Sequence, residues 1–464
     1  MPRPIEKQPE SGERPIRFFL TPEMLPDAET LAQLQTLAAT PGLDHYVAVL
    51  PDIHRKSRNL SPTGTVVASK NVLVPRAVDT GICCGMRMIR SNLEVRALTP
   101  AVLDELFNEL RRTIPVFEHD SDVLTREELA DLLVQGGAWS QKRYGLSAEE
   151  MSCIEDHGTL ATDTTAAEKI LACLPRQALK KGRRCYGTLG DGNHFLELQE
   201  IVEVLEPETA RRLGLAPGQA LFMLHTGSRS VGSKTMKGYL ESWEEDASFM
   251  QAMTRGTPIW SMPAEAEIAQ EYLRAIAAAS NFGFANRIAI TERLRAAVRR
   301  VLRDESLALP LLYDCAHVSI KREQWRGEAL WVHRHGASRA LPASRLSDHP
   351  LFRLTGQPLP IPGSMGHASF VGVALEGAGE TFYSVNHGAG RVLDKPEAVA
   401  AFTEQLVTAE LQNKNIRLYR YGEGNLAEQA PASFKDVSQV VAAMTALNLA
   451  RPVVRLRPVA VLKG

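Results

Sequence analysis

Six short polar clusters in this chain carry residues that could do chemistry. They read PDIHRKS around His54, CCGMR around Cys84, GDGNHF around His194, LHTGSRS around His225, DCAHVS around His317 and NHGAGR around His387. Each lies at one end of an apolar, strand-like run. Thiolate and imidazole suit borderline or soft divalent metals, so Cys84, His194, His225 and His317 form a candidate ligand set. No two of them have the helical HxxxH spacing, so folding must assemble the site. A rigid sheet can hold residues from distant strand ends at one point. One such His alone is more often a buried, hydrogen-bonded residue, and one Cys a small buried hydrophobe. Five His and one Cys in the same local setting point to a single shared site.

His387 in NHGAGR suggests different chemistry. The small residues after it let the backbone approach a bound group and offer N–H donors to phosphate oxygens. Arg391 adds a positive charge. A His can attack phosphorus when its other nitrogen is held by an acceptor, and Asp52 is the candidate acceptor. PGSMGHAS at 362–369 and GSRSVGS at 227–233 read as tight Gly/Ser loops. Each is compatible with phosphate binding and equally with an ordinary turn. RLRAAVRRVLR (Arg293 to Arg303) and KKGRR (Lys180 to Arg184) are basic, and a solvated helix face explains them as well as a nucleic-acid surface does.

The elements that position these clusters alternate between strand and helix. A helical stretch, DAETLAQLQTLA, is followed by the strand HYVAVL ending at Pro51-Asp52, and residues 62–92 read as strands broken by Gly and Pro. Helical periodicity covers 101–112, 126–142, 163–180, Ala264 to Arg303, 396–412 and 434–449, and VVRLRPVAVLKG closes the chain as strand. The clusters run from 52 to 387 without a linker or an internal repeat. This predicts a loose tail over 1–15 and one intertwined α/β domain over 16–464.

Composition bounds the rest. The chain has 464 residues, 44% hydrophobic and 23% charged, with net charge −1, so any nucleic-acid contact must come from a local basic patch. Six Cys without CxxC spacing read as reduced thiols. The polar, Pro-rich start lacks a signal-peptide core, and no apolar run is long enough for a membrane span. A cytoplasmic, monomeric protein without membrane contact is expected.

Taken together, the clusters resemble the RtcB-type RNA ligases. The matching segments are PDIH (51–54), CGMR (84–87), GTLGDGNHFLE (187–197), HTGSRSVG (225–232), NFGFANR (281–287), YDCAH (313–317), VHRHGASRA (332–340), IPGSMGHAS (361–369), HGAGR (387–391) and the terminal RLRPVAVLKG. The resemblance implies a mixed α/β fold with central β-sheets flanked by helices and a site in a central cleft. It implies GTP and Mn²⁺, one or two ions, as cofactors. It makes His387 the residue that attacks the α-phosphate of GTP and carries GMP, oriented by Asp52. Cys84 would bridge two metals, with His225 and His317 on one and His194 on the other. Asn193, Glu197, Ser364, Met365, Ser369, Gly388, Ala389, Gly390, Phe434 and Lys463 would surround the nucleotide. Arg229, Arg391 and His335 would contact phosphate or RNA. The implied substrate is RNA with a 3′-phosphate or 2′,3′-cyclic phosphate and a 5′-hydroxyl end, and an accessory activating protein is compatible with the family.

The sequence departs from the family pattern at several points. An Asp three residues before the bridging Cys is Gly81 here, with Asp79 nearby as a substitute ligand and Cys83 as an extra thiol. An Asn is replaced by Val318, a Lys by His335 and a base-stacking Tyr by Phe434. A Trp-Gly-Tyr-Gly stretch is replaced by Arg55-Lys56-Ser57-Arg58. These changes leave two alternatives to a sealing ligase: an enzyme that caps RNA 3′-phosphates with GMP without joining, or a catalytically impaired RNA-binding paralogue.

Overall fold

The computed structural model describes residues 4–7, 13–57, 59–161, 166–254, 257–422 and 424–464. Two sheets form its centre. The first has six strands in the order Ile5–Lys7, Ile16–Phe18, Asp44–His54, Thr63–Ser69, Glu328–His335 and Val318–Trp325. Asp44–His54 is buried over eight consecutive residues, the pattern of a strand covered on both faces. It runs past the expected stop at Pro51-Asp52, because His54 still pairs with Thr63. Within the N-terminal stretch, Ile5–Lys7 pairs antiparallel with Ile16–Phe18.

The second sheet has the order Leu311–Ala316, Gly85–Glu94, Gln219–Thr226, Phe195–Val204, Ala450–Lys463, Ser369–Ala374 and Pro358–Ile361, and Arg417–Arg420 adds parallel to the C-terminal strand. The two sheets meet at one residue. Leu311–Ala316 belongs to the second sheet, Val318–Trp325 to the first, and His317 is the junction between them. Cys84 lies just before one strand of the second sheet, His194 just before another, and His225 near the end of a third. The register sets Met86 and Phe195 on either side of His225, and Gly85 opposite Ala316.

A 36-residue helix, Glu267–Leu302, spans about 54 Å at 1.5 Å per residue. Residues 275–291 are all buried, as in a helix covered on every side. It packs against Pro100–Thr113, Arg126–Gln135 and Arg229–Glu245. The last of these was not expected. It begins inside GSRSVGS (227–233), whose Gly and Ser content reads as a loop, yet the helix starts at Arg229, with only Gly227 and Ser228 between it and the strand end at Thr226.

The helix expected over 126–142 is two helices, divided at Gly136 with φ +53°. The one expected over 163–180 is Ala167–Ala172 and Arg176–Cys185, divided near Pro175, and its residues 163–165 lie outside the described residues. The one expected over 396–412 is Lys395–Ala401 and Glu404–Asn413. Among the described residues, no helix is long and apolar enough to cross a membrane.

Charged side chains are buried beneath the site. Asp314 accepts from Arg87 and Arg287, each at 2.8 Å, and all three side chains are inaccessible to solvent. Removing one partner of such a cluster leaves an uncompensated charge, at a cost of about 3–5 kcal/mol. Asp314→Ala is therefore expected to lower the apparent Tm sharply in a thermal melt, whereas Arg300→Ala, at an exposed helix position, is expected to leave it nearly unchanged.

His333 links the first sheet to the segment that leads into the site. Its Nε2 accepts from the Val74 N–H at 3.0 Å, and its Nδ1–H donates to Trp331 O at 3.1 Å. Burial lowers its pKa from 6.5 to about 4. The folded state therefore resists protonation, and stability present above pH 6.5 is lost as pH falls towards 4. That window is worth about 3 kcal/mol. Denaturant unfolding at pH 7 and at pH 4.5 should show a smaller acid loss in His333→Gln than in the wild type, and equal losses would disprove the assignment.

Candidate active site

Cys84, His225 and His317 bring three donor atoms together at the junction of the two sheets. Their donor atoms all lie within 4.8 Å of one another. Cys84 Sγ is 3.3 Å from His225 Nε2, which is 3.3 Å from His317 Nε2. Two nitrogens at ~2.1 Å from a shared ion in tetrahedral geometry are ~3.4 Å apart, so the spacing suits common coordination. His225 Nδ1–H donates to Asn193 O at 3.0 Å, which leaves Nε2 bare as a ligand requires. The His317 Nδ1 is buried without a hydrogen-bond partner among the described residues. One divalent ion shared by Sγ and the two Nε2 atoms satisfies all three lone pairs at once.

Burial sets the protonation of this group. It pushes the Cys84 thiol up to about 12 and His225 down to about 3, and it holds His194 and His317 well below the ordinary imidazole range. The imidazoles are therefore neutral at physiological pH. Metal binding must displace only the thiol proton.

His387 stands beside this group, its ring centroid 4.8 Å from that of His317. Its Nδ1–H donates to Asp52 Oδ2 at 2.7 Å, and its backbone N–H donates to the same oxygen at 3.1 Å. The pairing fixes one tautomer and leaves the Nε2 lone pair unengaged by Asp52. Asp52 is fully buried inside its strand, and its Oδ1 has no partner among the described residues. Two glycines make room for it. A Cβ on Gly64 would lie 2.7 Å from Asp52 Oδ1, and one on Gly390 would lie 2.2 Å from Asp52 O, and both glycines have positive φ.

A cavity of about 920 Å³ opens over both groups. Cys84, His194, His225, His317 and His387 line it, together with Asn193, Glu197, Ser364, Met365, Gly388, Ala389, Gly390, Phe434 and Lys463. The structure thus brings together most of the residues singled out in the sequence. Glu197 and Lys463 come from neighbouring strands at its far wall. Burial raises Glu197 to about 7 and lowers Lys463 to about 7, and the charge of each opposes the other's shift. Gln199 Nε2 donates to Glu197 Oε2 at 2.6 Å, and Lys463 Nζ donates to Gly192 O at 2.9 Å.

Several expected contacts are placed differently. Asp79 lines the cavity but stands outside the three-donor group; its Oδ2 is ion-paired with Lys56, and its Oδ1 accepts from the Thr80 N–H at 2.6 Å. His335 also reaches the wall, but its ring is buried among Ser61, Thr63 and Asn59, and burial lowers its pKa to about 3. It is a neutral ring rather than a titratable cation. Arg229 does not line the cavity; it donates to His194 Nδ1 at 3.2 Å, to Thr188 Oγ1 and to Val116 O. Arg391 lines it, yet its guanidinium is held by Leu393 O and Glu428 O and lies 4.7 Å from the Phe434 ring centroid. Ser369 is buried behind the wall, where its Oγ accepts from the Gly363 N–H at 3.1 Å. Of the basic stretch after PDIH, Arg55 and Lys56 line the cavity, while Arg58 lies outside the described residues.

Two residues that position the site had no role in the sequence reading. Asn286 accepts from the Gly187 N–H at 2.7 Å and donates to Thr188 O and Gly227 O, each at 3.1 Å. Arg287 donates to Cys83 O at 2.8 Å and to Thr226 O at 3.1 Å. They tie the strand ends beside Cys84 and His225, and the Gly187–Thr188 segment, to the long helix. The sequence signal was an Asn-Arg pair inside a helix that is otherwise apolar at that point.

Comparison with known proteins agrees with this geometry. The family model described as tRNA-splicing ligase RtcB matches residues 33–464. A tRNA-splicing ligase RtcB of Pyrobaculum aerophilum is 33% identical over 468 residues, covering 97% of this chain and 95% of that protein. The tRNA-splicing ligase RtcB of Thermococcus kodakarensis is 33% identical over 456 residues, covering 95% and 92%. That of Methanococcus maripaludis is 31% identical over 450 residues, covering 94% and 92%. With its strand-end donors gathered in one cavity and this similarity along nearly its whole length, the chain belongs to the RtcB family of tRNA-splicing ligases.

Proposed function

We propose that this protein is a GTP- and Mn²⁺-dependent RNA ligase that joins a 3′-phosphate or 2′,3′-cyclic phosphate end to a 5′-hydroxyl end. The observation that carries the reading is the Asp52–His387 pair beside a Cys/His/His group in one cavity. The relatives' names supply the RNA substrate, and the donor chemistry supports a metal. The cavity wall supports guanine. When ionised, the Glu197 carboxylate accepts through two oxygens, which suits the paired N1–H and N2–H donors of guanine better than adenine, whose N6–H₂ donor sits beside an N1 acceptor. Phe434 offers a ring for stacking, backed by Arg391.

His387 Nε2 attacks the α-phosphorus of GTP; a P–N bond forms and pyrophosphate leaves. Asp52 keeps the Nδ1 proton and balances the charge that the ring gains. An oxygen of the RNA 3′-phosphate then attacks the same phosphorus, the P–N bond breaks, and His387 is restored. The 5′-hydroxyl then attacks the RNA phosphorus, its proton passing to solvent, and GMP departs; a 2′,3′-cyclic end must first be opened by water to the 3′-phosphate. Held by Cys84, His225 and His317, a divalent ion would supply positive charge to the phosphate oxygens next to His387. Lys463, bound to the backbone around His194, fixes the loop that holds Asn193 at the same place.

Two measurements check this. With α-labelled GTP and Mn²⁺, the wild type should form an acid-labile protein–GMP adduct and His387→Ala should form none. Asp52→Asn should fold normally but form the adduct about 10²–10⁴-fold more slowly, the usual range for loss of a positioned proton acceptor. No label on the wild type would refute the reading. A 3′-phosphate and 5′-hydroxyl RNA pair should then be joined. Strands that acquire GMP but stay separate would instead establish the capping alternative that Gly81 and Val318 motivate.

A further inference from the structure

Three donors converge on one point at the sheet junction, and the side chains that could hold a second ion beside them are already engaged. Cys84 Sγ is 3.5 Å from His194 Nε2, so a bridging thiolate and one imidazole face a second position. Among the described residues, no third donor joins them there. Gly81, one helical turn's distance before Cys84 in sequence, has no side chain. Asp79 is the nearby carboxylate, and both of its oxygens are taken, one by Lys56 and the other by the Thr80 N–H. Lys56 lines the same cavity as Cys84 and His194.

Two ligands, one of them shared, make a poor site for a dication in a cavity that already holds an ammonium. We propose that this centre takes a single divalent ion, on Cys84, His225 and His317, and that Lys56, pinned by Asp79, supplies the positive charge that a second ion would otherwise bring to the cavity. The inference rests on the metal reading above and deepens it. Lys56 keeps two of its three N–H donors beyond its bond to Asp79, and it lines the same cavity as His387. It can therefore meet phosphate oxygens directly. A fixed ammonium stays in place when metal is scarce, whereas a bound ion does not.

Gly81 makes the idea testable by addition. A Cβ there would meet only the Cys84 Cβ, at 3.9 Å, an ordinary contact, and its φ is not in the left-handed region. A carboxylate can thus be placed next to the thiolate without displacing backbone. The experiment is metal counting on the purified full chain dialysed against saturating Mn²⁺, together with its Mn²⁺ electron paramagnetic resonance spectrum. The wild type should hold one ion per chain, with the spectrum of an isolated ion. The double variant Gly81→Asp/Lys56→Ala should hold two, with the broadened spectrum of a coupled pair. Two coupled ions on the wild type would overturn the inference while leaving the ligase reading intact. No ion on the wild type would overturn the metal reading and the inference together. One ion on the correctly folded double variant would overturn the role given to Lys56, Asp79 and Gly81.

Discussion

The Arg287 guanidinium holds this molecule's site together. It is completely buried, and its N–H groups reach the Asp314 carboxylate, the carbonyls of Cys83 and Thr226, and the Cys83 sulfur. Those partners sit beside Cys84, His225 and His317 in sequence. One planar cation thus sets the relative positions of three strand ends from a helix behind them. Such a burial is tolerable only because Asp314 neutralises it and because backbone carbonyls accept the remaining N–H groups. Asn286, the preceding residue, ties the Gly187–Thr188 segment to Gly227, just past the strand that carries His225.

The consequence is a rigid set of donors in a region where charge is costly. Burial keeps the imidazoles neutral and the Cys84 thiol protonated, so the metal-free site carries no charge of its own at neutral pH. The cations around it are held by specific partners: Arg287 by Asp314, Arg229 by His194 and Thr188, Lys56 by Asp79. A phosphate group held in this cavity would meet fixed dipoles and fixed cations in place of water, the arrangement that favours transfer at phosphorus.

How far this could be read from the sequence depends on what each residue's role requires. The gathering of strand-end donors was legible, because Cys84, His194, His225 and His317 break apolar runs with side chains that have few structural uses in common. The Asp52–His387 pair was legible for the same reason. The partition of the long helical region was less so; Gly136 and Pro175 divide helices whose apolar period continues across the break. The helix Arg229–Glu245 was hidden because its first turn is built from Gly and Ser, which read as loop. Asp79 and His335 show the main limit. Sequence places them near the site, but which partner each one takes depends on Lys56, Ser61 and Thr63, which only folding brings alongside. The clamp residues Asn286 and Arg287 lie far along the chain from everything they hold.

The Lys56–Asp79 pair also bears on how an RtcB-type site can drift. A carboxylate next to a bridging thiolate attracts a dication; the same carboxylate paired with an ammonium repels one. Changing which cation a single Asp holds therefore alters the charge over the cavity from a mobile ion to a tethered one, without disturbing Cys84, His225, His317 or His387. Arg287 and Asn286 fix the strand ends beside Cys84 and His225 from the opposite side, and Asp52 holds His387, so none of these anchors runs through Lys56. The site is divided physically into a half held by the buried clamp and a half lined by exchangeable side chains, and the departures at Lys56 and Gly81 fall in the second half.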